Sequence, residues 1–189
     1  MIKIGVLGDI GSGKSFVAKK FGYPVFNADH EVHKIYKNDL RVFNKLKKIL
    51  PQHIHTFPIN KNEISKAILS DNRNLKRIVK IVHLEVRKKM KIFFNKNKRK
   101  KIVVLDIPLL LENKLVQKKD ILVFVHSKKK DILKRLKKRE GFNSKLIKIF
   151  KKIQLPLDYK KKKSHFIIKN DFTEKTVKKY VKNILRKIK

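Results

Sequence analysis

The sequence predicts an α/β fold in which a parallel sheet carries helices on both faces. Two observations lead there. Short apolar, β-branched runs stop abruptly at glycine, proline or a polar residue, as buried parallel strands do. Between them lie stretches whose apolar residues recur with the helical period. A strand, a helix and a further strand imply a right-handed crossover, and repeated crossovers build such a sheet. The 189 residues fit one domain, and an apolar fraction of 41% suffices for a core.

In chain order, residues 2–7 form a first strand that stops at Gly8. A helix runs from Lys14 to about Phe21, with Val17, Ala18 and Phe21 on one face. Residues 24–27 are a second strand, ending at Ala28 and Asp29; residues 31–36 and 40–50 are helical, and 51–58 break the pattern. Helical periodicity over 62–94 splits into two helices near Ser70 and Asp71, where both residue types offer a cap. Residues 102–107 are a strand stopped by Pro108; 121–126 are another, followed by a helix over about 129–138. Residues 140–144 form a turn around Gly141, after which helix resumes through Gln154 until Pro156. The last strand is 164–168 and the closing helix 173–187.

Composition excludes several classes. No apolar run is long enough to cross a bilayer, and residues 1–7 lead into glycines rather than a cleavage site, so a soluble cytoplasmic chain is expected. Without cysteine there is neither disulfide nor thiolate metal site. No repeat and no Gly/Ser linker divides the chain. The formal charge of +37 has two readings: a polyanion partner such as nucleic acid, or compositional drift. Lysine far outnumbers arginine, and Ile, Asn and Phe are abundant while Ala, Gly and Pro are few, the pattern of AT-rich codons. The lysines also spread over the outer positions of every expected helix. Drift explains that better than one binding stripe, so no specific nucleic-acid partner and no membrane partner is expected.

The strongest chemical signal is Gly8-Asp9-Ile10-Gly11-Ser12-Gly13-Lys14-Ser15, a full match to G-x-x-x-x-G-K-[ST]. Gly8 and Gly13 permit close approaches that a side chain would block. The loop then turns backbone N–H groups, and the start of the next helix, toward phosphate oxygens. Lys14 bridges β- and γ-phosphates, and the Ser15 hydroxyl ligates Mg²⁺. A strand before and an amphipathic helix after supply the context this phosphate loop, or P-loop, requires. A GTPase would add D-x-x-G and N-K-x-D; Asn60-Lys61-Asn62-Glu63 only vaguely resembles the second and follows no strand. A helicase needs more chain. A compact small-molecule kinase remains.

From this point the chain resembles the dephospho-coenzyme A kinase family over nearly its whole length. The matching residues are Gly11 to Ser15; Asn27-Ala28-Asp29, where the family usually has Asp-Ala-Asp; and 59–71, before a long helix. Val82-His83 falls where the family has a His-Pro pair. Asp106-Ile107-Pro108-Leu109-Leu110-Leu111-Glu112-Asn113 carries the family's "PLL-x-E" after a central strand. Lys134-Arg135-Leu136 with Arg139, Gln154 and residues 167–170 complete the series. The resemblance implies a three-layer P-loop NTPase fold with a five-stranded parallel sheet. It implies a core of about 1–29, 101–138 and 164–189, a helical acceptor-binding region of about 30–100 and a helical lid of about 139–160. It also implies transfer of the ATP γ-phosphate to the ribose 3′-hydroxyl of dephospho-CoA, with Mg²⁺; a monomer is favoured.

The site residues follow. The ATP set is Gly8, Gly11, Ser12, Gly13, Lys14, Ser15 and Phe16, joined by Arg135. Asp29, at the carboxyl end of a strand, is either the base that accepts the hydroxyl proton or a helix N-cap, and resemblance favours the base. Arg135 and Arg139 lie four apart on one helix face. Either they belong to an exposed basic face, or they clamp phosphate from a lid, and Arg139, nearer the hinge, is the catalytic choice. His83, Pro108, Leu109 and Glu112, with Asp29, are expected on the acceptor side, although a lone helical His is commonly a packing residue. Asp106 either holds Mg²⁺ through water or caps its turn. Departures from the family pattern are Phe16 for Thr, Asn27 for Asp, Leu84 for Pro and Lys61 for Arg. Two rivals stand: another P-loop kinase resembling the nucleoside monophosphate kinases, and a nucleic-acid-binding protein regulated by ATP. Few aromatic residues interleave with the basic runs, which counts against the second.

Overall fold

A computed structural model describes residues 1–139 and 141–188. Glu140, where the expected turn begins, and Lys189 lie outside the described residues. The chain packs as two units: one of Met1–Asn27, Asn97–Phe142 and Lys151–Lys189, the other of Ala28–Lys96 and Asn143–Phe150.

The first unit holds a five-stranded sheet in the order β2-β3-β1-β4-β5. Its strands are β1 (Ile2–Gly8), β2 (Val25–Asn27), β3 (Ile102–Asp106), β4 (Ile121–His126) and β5 (Phe166–Lys169). Every neighbouring pair is parallel, with Ile4 opposite Val104 and Ile121, Gly8 opposite Val125, and Asn27 opposite Asp106. All five carboxyl ends therefore lie along one edge, where open α/β sheets bind ligands.

The run of β-branched residues in β1, β3 and β4 makes sense in the sheet's centre, where both faces are covered. On one face Ile4, Val6, Val104, Val123 and Val125 pack with Val17 and Ala18 of α1 (Lys14–Lys20) and with Phe21. Val177, Val181 and Ile184 of α9 (Glu174–Ile188) close the same cluster. Each such side chain contributes about 1.5–3 kcal/mol on burial. On the other face a side chain at position 5 would run into Leu110 and Leu122, so Gly5 is what lets the loop after β3 tuck Leu110 wholly out of solvent. The remaining helices of this unit are α6 (Lys129–Lys137) and α8 (Leu157–Lys162).

The second unit is helical. α2 (Ala28–Asn38), α3 (Leu40–Ile49) and α4 (Lys61–Ser70) pack on the long α5 (Arg73–Lys96). Their apolar faces bury Ile35, Val42, Leu46, Ile64, Ile68, Ile78 and Val82. Asx caps set the boundaries: Asp39 accepts from the Arg41 and Val42 N–H groups, and Asn60 from Asn62. Asp71 accepts from the Arg73 N–H at 2.8 Å, and that bond holds its carboxyl below the usual range. Burial pushes the Tyr36 phenol up to about 12. α7 (Ser144–Lys152) is amphipathic yet carries no buried residue.

Three elements differ from expectation. α2 starts at Ala28, directly off β2, because Asp29 and Glu31 place two carboxylates in the first turn, where a helix favours negative charge. Pro156 does not simply end helix; α7 stops earlier, at Lys152, and Pro156 becomes the N-cap of α8. β5 begins at Phe166 rather than Ser164, whose hydroxyl donates to the Lys160 carbonyl at 2.8 Å and closes α8.

Candidate active site

The turn from β1 into α1 is pinned from two neighbouring strand ends. The Ser12 carbonyl accepts from the Asn170 side-chain amide at 2.8 Å, just beyond β5, and from the Ser127 hydroxyl at 3.0 Å, just beyond β4. Ser12 is buried, and its own hydroxyl has no partner among the described residues. Gly13 has φ 90°, and a Cβ there would overlap the Asn170 amide nitrogen. Gly11, at φ 84°, takes the side of α6 directly: a Cβ would stand 2.9 Å from Leu136 and 3.1 Å from Ile132. α6 is thereby seated on the loop. Gly8, the first fixed position of the motif, is the last residue of β1.

Lys14, the first residue of α1, folds its ammonium back over the loop and donates to the Asp9 carbonyl at 2.8 Å and the Gly8 carbonyl at 3.3 Å. Asp9 in turn accepts from the Ile10 N–H at 2.7 Å and pairs with Lys151 at 3.3 Å. Phe16 is partly buried against the core, with the Lys20 ammonium 5.2 Å from its ring centroid.

At the sheet's carboxyl edge, β2 and β3 bring Asn27 and Asp106 together. The Asn27 amide donates to Asp106 at 2.5 Å, and the Ser15 hydroxyl donates to the same carboxylate. Asp106 is 3% exposed. That burial raises its carboxyl above the ordinary range, against the opposing pull of Ser15, Lys14 and Asn27. A hydroxyl and a carboxylate in contact are hard oxygen donors and suit Mg²⁺, which is commonly held by one or two protein oxygens together with phosphate. No group of three His, Asp or Glu that could cage a metal occurs among the described residues.

Asp29 lies two residues beyond Asn27, exposed in the first turn of α2. Arg135 is exposed on α6, its guanidinium carbon 4.2 Å from the centroid of the Phe172 ring. Arg139 follows α6 in a turn closed by Arg139 N–H to Leu136 carbonyl and Phe142 N–H to Arg139 carbonyl, both 3.1 Å. Pro108 and Leu109 are partly buried after β3. Glu112 is tied inward: the Lys160 ammonium lies at 2.7 Å and the Leu155 N–H at 2.9 Å. Lys160 is 1% exposed and also reaches Gln154 at 3.4 Å. In the second unit, His83 is half-buried on α5; burial, and then the nearby Arg87 charge, hold its pKa below the ordinary value. Lys61 opens α4, and Leu84 is exposed.

Sequence reasoning had residues 167–170 only as part of the family resemblance, and it missed Ser127 and Phe172 beside the phosphate loop and Lys160 beside Glu112. Asn170 and Ser127 each follow a strand directly, a position worth testing in any parallel sheet. Lys160 stands in a run of four lysines, which conceals it.

Comparison with known proteins agrees with this fold. The family model for dephospho-CoA kinase matches residues 2–176. The dephospho-CoA kinase of Wolbachia pipientis wMel is 36% identical over 187 residues, covering 96% of this chain and 95% of that relative. Among solved structures, TT1252 from Thermus thermophilus matches with a TM-score of 0.76 at 25% identity, over 100% of this chain and 98% of that one. The dephospho-CoA kinase from Campylobacter jejuni shares the fold, with a TM-score of 0.64 at 22% identity over 98% and 96% of the two chains. A phosphate loop at the carboxyl edge of a five-stranded parallel sheet, with this match over nearly the full length, has one reading: the chain belongs to the dephospho-CoA kinase family.

Proposed function

We propose that this chain transfers the γ-phosphoryl group of ATP to the ribose 3′-hydroxyl of dephospho-CoA, with Asp29 accepting the hydroxyl proton. The observation that carries the reading is the cluster at the sheet edge: Lys14 on the phosphate loop, and Ser15 bound to Asp106 beside Asn27. Asp29 follows that cluster by two residues in the chain and is exposed. The hydroxyl oxygen attacks the γ-phosphorus, the bond to the β–γ bridging oxygen breaks, and ADP departs.

Lys14 leaves its carbonyl partners to meet phosphate oxygens, while the backbone N–H groups of the loop hold the rest of the triphosphate. Ser15 and Asp106 are the residues that would hold Mg²⁺, which when bound neutralises charge on the β- and γ-phosphoryl oxygens. Arg139 steadies the transferring group, and Arg135 binds ATP. The family resemblance assigns acceptor contacts to His83, Pro108 and Leu109. Glu112 belongs to the same acceptor set: Lys160 and the Leu155 N–H hold its Oε1, while its buried Oε2 has no partner among the described residues. Both substrates are soluble anions, in keeping with a cytoplasmic enzyme.

Asp29→Asn tests the base. It should lower kcat by about 10²–10⁴-fold and leave the KM for ATP within about twofold. Unchanged turnover would remove the hydroxyl-activation role.

A further inference from the structure

Phe172 occupies a backbone conformation that its side chain ought to avoid. It has φ 66°, in the left-handed region where a Cβ crowds the following carbonyl and where glycine is the ordinary choice. A phenylalanine kept there at a cost to the fold calls for a compensating task. Three contacts define its surroundings. Asn170, two residues earlier, accepts the Phe172 N–H at 2.9 Å while its amide holds the phosphate loop through the Ser12 carbonyl. The Phe172 ring lies against Gly13, with ring carbons 3.3 and 3.5 Å from where a Cβ on that glycine would stand. On α6, the Arg135 guanidinium carbon sits 4.2 Å from the ring centroid.

The ring is thus positioned by the phosphate loop and stacked under an arginine of a separate helix. Asn170 sets the turn, the turn aims the ring, and the ring holds the guanidinium. Stacking on an aromatic face restrains a long, exposed side chain and keeps its N–H groups in one plane.

We propose that Phe172 is a positioning residue for nucleotide binding, holding Arg135 beside the phosphate loop in the orientation that receives ATP. The proposal rests on the reading of Arg135 as an ATP-binding residue. Phe172 touches no reacting atom; it acts through Arg135, and the left-handed conformation is what brings its ring to that place. Loss of the ring should therefore weaken ATP binding without weakening the fold, because the same substitution relieves the backbone.

The test is a double-mutant cycle on the full chain with five variants: Phe172→Gly, Phe172→Asn, Phe172→Tyr, Arg135→Ala and Phe172→Gly combined with Arg135→Ala. The readouts are the thermal midpoint without nucleotide, the KM for ATP, and the KM for dephospho-CoA. Phe172→Gly should keep the midpoint within about 2 °C of the parent, strain relief offsetting lost packing. It should raise the KM for ATP about tenfold and leave that for the acceptor unchanged. Phe172→Asn, which tolerates the same backbone and lacks the ring, should behave alike; Phe172→Tyr should restore the parent values. The double variant should be no weaker for ATP than Arg135→Ala alone. A lower midpoint with unchanged ATP affinity in both ring-less variants would make Phe172 a packing residue and overturn the proposal. Independent, multiplying effects of the two substitutions would overturn it as well. An Arg135→Ala variant with parental ATP affinity would remove the assignment of Arg135 itself, a different failure from a silent Phe172.

Discussion

Asp106, proposed above to help hold Mg²⁺, is a single carboxylate whose burial costs the fold something. It is nearly sealed from solvent, and Ser15 and Asn27 both donate to it. Because its pKa is raised in the folded chain, the folded state holds the proton more tightly than the unfolded one, and stability falls as pH rises through the interval above 3.8. At neutral pH the ionised group is therefore a net cost. Asp106→Asn keeps an acceptor for Asn27 and removes the charge, so the nucleotide-free thermal midpoint should rise, by about 2–4 °C, while the Mg²⁺ concentration for half-maximal activity increases. A lower midpoint would contradict that assignment. His83 works with the opposite sign. Its pKa is depressed below 6.5 by burial and by Arg87, so the unfolded chain takes up the proton first as pH falls. Denaturant titrations at pH 7.5 and 5.5 should show a larger loss for the parent than for His83→Gln. Equal losses would mean that His83 titrates as it does in the unfolded chain.

α8 is the element that pattern reading missed, and its physics explains why. Six residues make fewer than two turns, and the run Leu157-Asp158-Tyr159-Lys160 offers no repeating apolar face. Proline before it reads as a stop, although proline suits a helix start equally well. What holds α8 is not its pattern but one buried ion pair, Lys160 with Glu112 at 2.7 Å, between the helix and the loop after β3. Breaking such a pair from one side leaves an uncompensated charge, so Lys160→Met should destabilise the chain by about 3–5 kcal/mol in urea unfolding. Combining it with Glu112→Leu should recover most of the loss. A surface-like effect near zero for Lys160→Met would show that the lysine escapes to solvent. The strands, by contrast, were legible, because β-branched runs buried on both faces have few alternatives. So was the division of the long helical stretch at Ser70 and Asp71, since the Asp71 carboxylate caps α5 through the Arg73 N–H. The start of α2 was not, for no loop separates it from β2.

For the molecule as a whole, the phosphate loop was the part of the site most visible in sequence, because its chemistry is written in consecutive residues. Asp106 meets Asn27 and Ser15 because β3 pairs with β2 on one side, with Asn27 opposite Asp106, and on the other with β1, which leads into the loop and Ser15. That strand order cannot be deduced from local pattern. The charge of +37 says nothing about this chemistry; it bears on solubility and on non-specific association that salt suppresses. What distinguishes a dephospho-CoA kinase from other kinases of the same fold is the acceptor. The decisive measurement is ADP release from ATP and Mg²⁺ with dephospho-CoA, set beside shikimate, nucleoside monophosphates and uridine, with the phosphorylated product identified by mass. Turnover with dephospho-CoA that exceeds every other acceptor and yields coenzyme A is the expected result; ADP release driven only by another acceptor would contradict it.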